Sequence, residues 1–278
     1  MVVDATSGEL IADRPGRRIE LLADNEALAV THFRFAGDGP QPHVHRLHAD
    51  CFLVLDGVLQ MRVGDDERLV EPLSWVQVPH RVAHTFAPAD GEATFLNIHA
   101  PACGFGSYLR GKHPDFDQHD PPEDGGRDPS LAVVCPLGGE GETITDRPGR
   151  RLTLLADTEE AAVTESLYGP GERGPGLHVH REHTDAWVVL EGVLTLHLRD
   201  GASIEAGPRT LVIVPPHVAH GFANEGADAT RFLNLHVPSC GFGAYLRGEN
   251  PSFDQHEPPP GGGVDPASVV VRTFRTGA

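Results

Sequence analysis

The stretches HVHRLHADC at residues 43–51 and HVHREHTDA at residues 178–186 each carry two histidines two apart, a third histidine, and then an aspartate. In a strand, where both HxH pairs are expected to lie, residues two apart point to the same side. His43 and His45 can therefore aim both imidazoles into one space, as can His178 and His180. Asp50 and Asp185 stand an odd number of residues beyond the second histidine, so a loop or bulge must intervene before either carboxylate can turn to the same place. His84 and its counterpart His220 follow a Val-Pro turn and open another apolar stretch. Three neutral imidazoles and one carboxylate suit a divalent transition metal such as Fe, Ni, Co, Mn, Cu or Zn, and octahedral coordination leaves two positions open for chemistry. A single histidine in such a setting is ordinarily a solvated turn residue or a core group. Two HxH pairs, each followed by an acid and a distant histidine, make the metal reading the stronger one.

The elements that must position these residues occur twice and in the same order. DRPGRRIELLAD (13–24) returns as DRPGRRLTLLAD (146–157), VPHRVAHTFA (78–87) as VPPHVAHGFA (214–223), and FLNIHAPACGFGSYLRG (95–111) as FLNLHVPSCGFGAYLRG (232–248). This is a tandem duplication. Each copy closes with a Pro- and Gly-rich tail containing FDQH, at 116–119 and 253–256. The boundary is expected where LAVVC begins a new strand, giving units 1–132 and 133–278. MVVD, AVVC and SVVVR read as three versions of one edge strand. Apolar runs are short and rich in Val, Leu, Ile and Phe, with turns such as the DG after CFLVL, and only GFGSYLRG and GFGAYLRG read as short helices. That pattern predicts an all-β chain, an antiparallel barrel or sandwich built twice.

Composition bounds the partners. Asp and Glu outnumber Lys and Arg by 40 to 22, a formal charge of −18, which disfavours nucleic acid and anionic membrane surfaces as partners. The N-terminus has no basic region followed by an apolar stretch, so a cytoplasmic location is expected. Cys51, Cys103, Cys135 and Cys240 form no CxxC and read as reduced, mostly buried thiols. A small-molecule substrate is the expected partner, and a homo-oligomer is compatible with the sequence.

At these residues the chain resembles the cupin superfamily, and specifically two-domain cupins. The first cupin motif, a Gly, an HxH pair, an acid and a second Gly, is matched by Gly37, His43, His45, Asp50 and Gly57, and by His178, His180, Asp185 and Gly192. The second motif, a Pro-x-Gly turn leading to a His, is matched by Pro79 and His84 and by Pro215 and His220. The resemblance implies two tandem antiparallel jelly-roll barrels, also called double-stranded β-helices, with one divalent transition metal in each. Two departures stand out: the family's Glu is Asp in both copies, and the turn Gly is Arg81 in one and His217 in the other. His48 and His183 are then the natural substitute ligands or pocket bases, weighted below Asp50 and Asp185. Asn97 and His99, with Asn234 and His236, share a strand face that lines either the barrel interior or the underside of the tail.

Two-domain cupins include dioxygenases such as quercetinases, decarboxylases such as oxalate decarboxylase, isomerases and seed storage proteins. Keeping the ligand set twice favours an enzyme. The leading expectation is a quercetinase-like dioxygenase in which Asp50, Asp185, His48 or His183 serves as base. The alternatives are a redox-neutral decarboxylase or isomerase of a small acid or sugar, and a non-catalytic binding protein. Phe52, Phe86, Trp187 and Phe222 are candidates for an aromatic-tolerant cavity, with core packing as the default for each. Differences between the copies, such as Leu47 against Glu182, allow one site to be catalytic and the other structural.

Overall fold

A computed structural model describes residues 6–275. The chain divides into two compact units, Gly8–Glu140 and Gly141–Phe274, with Thr6 and Ser7 grouped with the second. The first contains β1 (Glu9–Arg14), β2 (Arg17–Asp24), β3 (Ala29–Ala36), β4 (Ala49–Asp56), β5 (Leu59–Val63), β6 (Asp66–Val70), β7 (Ser74–Val78), β8 (His84–Pro88), β9 (Glu92–Ala100) and β10 (Val133–Pro136). Helix α1 (Phe105–Leu109) follows β9. The second repeats the plan with β11 (Glu142–Arg147), β12 (Arg150–Asp157), β13 (Ala162–Tyr168), β14 (Thr184–Glu191), β15 (Leu194–Leu198), β16 (Ser203–Ala206), β17 (Thr210–Val214), β18 (His220–Ala223), β19 (Thr230–Val237), α2 (Phe242–Leu246) and β20 (Val270–Thr273). The all-β class, the duplication and both short helices are as the sequence predicts.

Each unit pairs a large antiparallel sheet with a small one. The orders are β1-β2-β3-β9-β4-β7-β10 with β6-β5-β8, and β11-β12-β13-β19-β14-β17-β20 with β16-β15-β18. Strand alternation builds the core between them: Phe52, Val54, Val76, Val78 and Phe95 from the large sheet meet Leu59, Met61, Val63 and Val70 from the small one. Phe52 and Trp187 are wholly buried. The turn glycines after β4 and β14 are required twice over. Gly57 and Gly192 have φ of 72° and 70°, and a Cβ there would lie 2.4 Å from the Glu92 carbonyl and 2.3 Å from that of Ala229.

Two expectations need correction. AVVC does not open the second unit, because β10 pairs with β7 and completes the first unit's large sheet, so the break falls after Glu140 rather than at residue 132. β20 takes the same edge place beside β17, as the likeness of AVVC and SVVVR suggested, while MVVD lies outside the described residues. The HxH pairs are also not within a strand. His43 and His178 make isolated bridges to His84 and His220, and a bend follows before β4 and β14 begin. That bend resolves the odd spacing to the aspartate.

Candidate metal centres

Three elements bring the first ligand set together. The extended segment before β4 carries His43 and His45, β4 of the large sheet carries Asp50, and β8 of the small sheet opens with His84. The main chains of His43 and His84 exchange two hydrogen bonds of 2.9 Å, which ties the HxH segment to the small sheet. Arg81, at the turn position where a glycine is usual, keeps the left-handed conformation at φ 64° and donates its N–H to the His45 carbonyl across 2.5 Å. His217 does the same for His180 at φ 65° and 2.6 Å. The non-glycine turn therefore holds the second histidine of each pair.

All four side chains are buried, and their nearest ligand atoms lie within 4.8 Å of one another; the same is true of His178, His180, Asp185 and His220. The donor chemistry is decided by the far side of each ring. His43 Nδ1 donates to the Gln41 carbonyl at 2.9 Å, His45 Nδ1 to that of Asp117 at 2.5 Å, and His84 Nδ1 to that of Val82 at 3.0 Å. A carbonyl only accepts, so each Nδ1 carries the hydrogen and each Nε2 presents a lone pair inward. His45 Nε2 is buried with no hydrogen-bond partner among the described residues. In the second unit His178 donates to Gly176, His180 to Asp254 and His220 to Val218 in the same way. Three lone pairs and a carboxylate without a donor among them fit a divalent transition metal.

The electrostatics agree. Burial lowers His43 from 6.5 to about 4, helped by His84 and His45, and lowers His178 to about 3, helped by His220. Burial works against ionising Asp50 and Asp185, yet the imidazoles around them, His99 and His236 foremost, hold both well below the usual carboxylate range. His180 is raised despite burial, because the Asp185 carboxylate favours positive charge beside it. Neutral His43 and His178 beside an ionised acid suit a cation, and at His180 a bound cation would take the place of the proton that Asp185 favours.

Behind each centre lies a polar layer that the sequence only hinted at. Register places Asp50 opposite His99 and Phe52 opposite Asn97, so Asp50, Asn97 and His99 face the interior. His48 and His183 are as buried as the ligands, but they sit behind the centres rather than on the cavity walls. His48 Nδ1 meets the Asp117 carboxylate at 3.0 Å, and its Nε2 meets His99 Nδ1 at 2.8 Å. The Asp117 carboxylate also accepts the backbone N–H of Arg46 and of Leu47, at 3.0 and 2.8 Å. Asp254 repeats these contacts with Arg181, Glu182 and His183. Asp117 and Asp254 are thus the supporting residues the sequence reading missed. Their signal was the FDQH repeated in the two tails.

A cavity of about 290 Å³ opens over the first centre and one of about 390 Å³ over the second. Phe86 and Phe222 line them, whereas Phe52 and Trp187 belong to the core. Phe105 of α1 lies against the His99 ring at 3.7 Å between centroids, and Phe242 of α2 against His236 at 3.6 Å. Each cavity wall carries one guanidinium, Arg17 or Arg150. Arg150 lies over the Tyr168 ring at 4.9 Å and donates from Nη1 to Glu172 and the Arg173 carbonyl, while its buried Nε has no hydrogen-bond partner among the described residues.

Comparison with known proteins supports the fold. The family model described as a cupin domain matches residues 165–236, inside the second unit. The structure of oxalate decarboxylase from Bacillus subtilis at pH 4.6 aligns with a TM-score of 0.53 and 13% identity, over 86% of this chain and 74% of that one. An oxalate decarboxylase structure concerned with substrate binding and a reaction-specificity switch aligns with a TM-score of 0.53 and 14% identity, over 86% and 78%. Comparison with curated proteins gives no match. No helix among the described residues is long and apolar enough to cross a membrane.

Proposed function

From the premise that this chain is a two-domain cupin, we propose that it is a metal-dependent, redox-neutral enzyme that decarboxylates a small carboxylic acid. His43, His45, Asp50 and His84 hold one divalent transition metal, and His178, His180, Asp185 and His220 hold another. The observation that carries the reading is the pairing of a donor-free set of imidazole lone pairs with a single guanidinium on the cavity wall. Arg150, whose Nη1 is held by Glu172 and the Arg173 carbonyl while its buried Nε has no partner among the described residues, suits a small anion more than a neutral flavonol. The solved neighbours are named for oxalate decarboxylation, which agrees with that charge and size.

A bound divalent metal supplies Lewis acidity toward the substrate oxygens. The protein's own groups do the rest. Arg150 or Arg17 orients the carboxylate, and Phe105 or Phe242 with its neighbours limits water access. Asp117 and Asp254 lock the second histidine of each pair through their carbonyls. Cleavage of the bond to the carboxyl carbon releases CO2, and the electron pair left on the remaining carbon takes a proton, so no oxidant is consumed. His48 and His183 act here as positioning residues rather than as the pocket base.

The test is to load the protein with Mn(II), Co(II) or Zn(II), supply oxalate and related small dicarboxylates, and measure CO2 and O2 together. CO2 released with no matching O2 consumption is expected. O2 uptake equal to product formed would restore dioxygenation. No turnover with any pairing would leave a metal-binding barrel.

A further inference from the structure

We infer that the second unit holds a second metal ion beside the first, bound by His183, His236 and the Asp185 carboxylate, which bridges the pair. This rests on the metal position proposed above, because Asp185 is shared between the two.

The two oxygens of Asp185 face different rings. Oδ2 lies 3.3 Å from His180 Nε2 and 3.3 Å from His220 Nε2. Oδ1 lies 3.3 Å from His183 Nε2 and 2.9 Å from His236 Nδ1, and those two nitrogens are 3.1 Å apart. The remaining nitrogen of each ring is committed to an acceptor. His183 Nδ1 lies 3.0 Å from the Asp254 carboxylate, and His236 Nε2 lies 3.1 Å from the Asn234 side-chain oxygen. With those hydrogens placed, His183 Nε2, His236 Nδ1 and Asp185 Oδ1 are three acceptors turned on one another. Oδ1 is buried and has no hydrogen-bond donor among the described residues. Three converging lone pairs in a dry interior are costly without a cation. Two imidazoles and a carboxylate oxygen select a divalent transition metal over Mg or Ca. A carboxylate shared between two closely spaced metals is a familiar arrangement in two-metal centres.

The first unit shows what closes such a position. There Asn97 donates its amide to Asp50 Oδ1 across 2.5 Å, and His99 Nε2 stays 3.8 Å from that oxygen. His48 and His99 then face each other alone at 2.8 Å, the separation of a single hydrogen bond. Asn97 also reaches the Cys51 carbonyl at 3.3 Å, as Asn234 reaches the matching Ala186 carbonyl at 3.4 Å, but among the described residues Asn234 makes no hydrogen bond to Asp185 Oδ1. One amide contact separates the copies, and it frees the second oxygen of the acid.

The experiment is metal titration of chelator-stripped full-length protein with Mn(II), followed by electron paramagnetic resonance. Wild type is expected to bind about three ions per chain and to show an exchange-coupled Mn pair. His236→Gln and His183→Gln should each lose one ion and the coupled signal, while His99→Gln in the first unit leaves both unchanged. Circular dichroism melts confirm that the variants fold, and two independent variants guard against loss of one. Two ions with no coupled signal, unaffected by His236→Gln, would overturn the inference and assign a shared proton to that position. One ion or none in wild type would overturn the first metal position itself, and the second with it.

Discussion

His45 Nδ1 donates to the main-chain carbonyl of Asp117 across 2.5 Å, and the Asp117 carboxylate meets His48 Nδ1 at 3.0 Å. One tail residue thereby sets the tautomer of an inward-facing histidine with its backbone and braces the layer behind it with its side chain.

Removing that brace has a measurable consequence. Asp117→Ala keeps the carbonyl but strips the acceptor from the N–H groups of Arg46 and Leu47 and from His48. Loss of such an outer partner costs about 10- to 100-fold in metal affinity. Calorimetric titration of the first centre should show that loss, and an unchanged affinity would make the Asp117 contact merely structural.

The two kinds of ligand should not weigh equally. His45→Ala is expected to abolish metal at the first centre and leave the second filled, since the ligands of each centre come from one unit. Asp50→Ala should weaken the first centre less, because three imidazole lone pairs remain. Elemental analysis of each variant decides it, and equal losses would make the shorter acid a full ligand.

Acid should destabilise the metal-free protein. Burial lowers His43 from 6.5 to about 4, and lowers His32 to about 4 with help from Arg18 and Arg34. Between those values the unfolded chain binds more protons than the folded one. Stability is therefore complete above pH 6.5 and falls as the pH drops toward 4, by up to about 1.4 kcal/mol per pH unit for each such histidine. Melting temperatures of stripped protein at pH 7.5, 6 and 5 test the slope, and His32→Gln should flatten it. A flat profile in the wild type would contradict the assignment.

Substrate capture should depend on the cavity guanidinium. Arg150→Gln is expected to raise KM by roughly 10- to 100-fold, the cost of about 1.5–3 kcal/mol for a lost charged hydrogen bond, with kcat little changed. Equal falls in kcat and kcat/KM would place Arg150 in transition-state stabilisation instead. No change would remove it from recognition.

Much of this protein can be read from its chain alone. Short alternating apolar runs punctuated by Gly, Pro and Asp specify strands and turns because side-chain period and turn chemistry are local properties. The duplication identifies two equivalent units, and the HxH, Asp and distant His of each name the centre because the same residue types recur at the same spacing. What the sequence leaves open depends on contacts between residues far apart in the chain. That β10 completes the first sheet follows from its pairing with β7, which no local pattern records. Asp117 reaches His45 across 72 residues, and His99 meets Asp50 through strand register. The unequal roles of Asn97 and Asn234 arise because both amides meet the matching carbonyl, of Cys51 or Ala186, while only that of Asn97 also reaches the carboxylate. Identical residues in matching strands carry no trace of that choice, because side-chain hydrogen bonding is settled only when the interior closes around it.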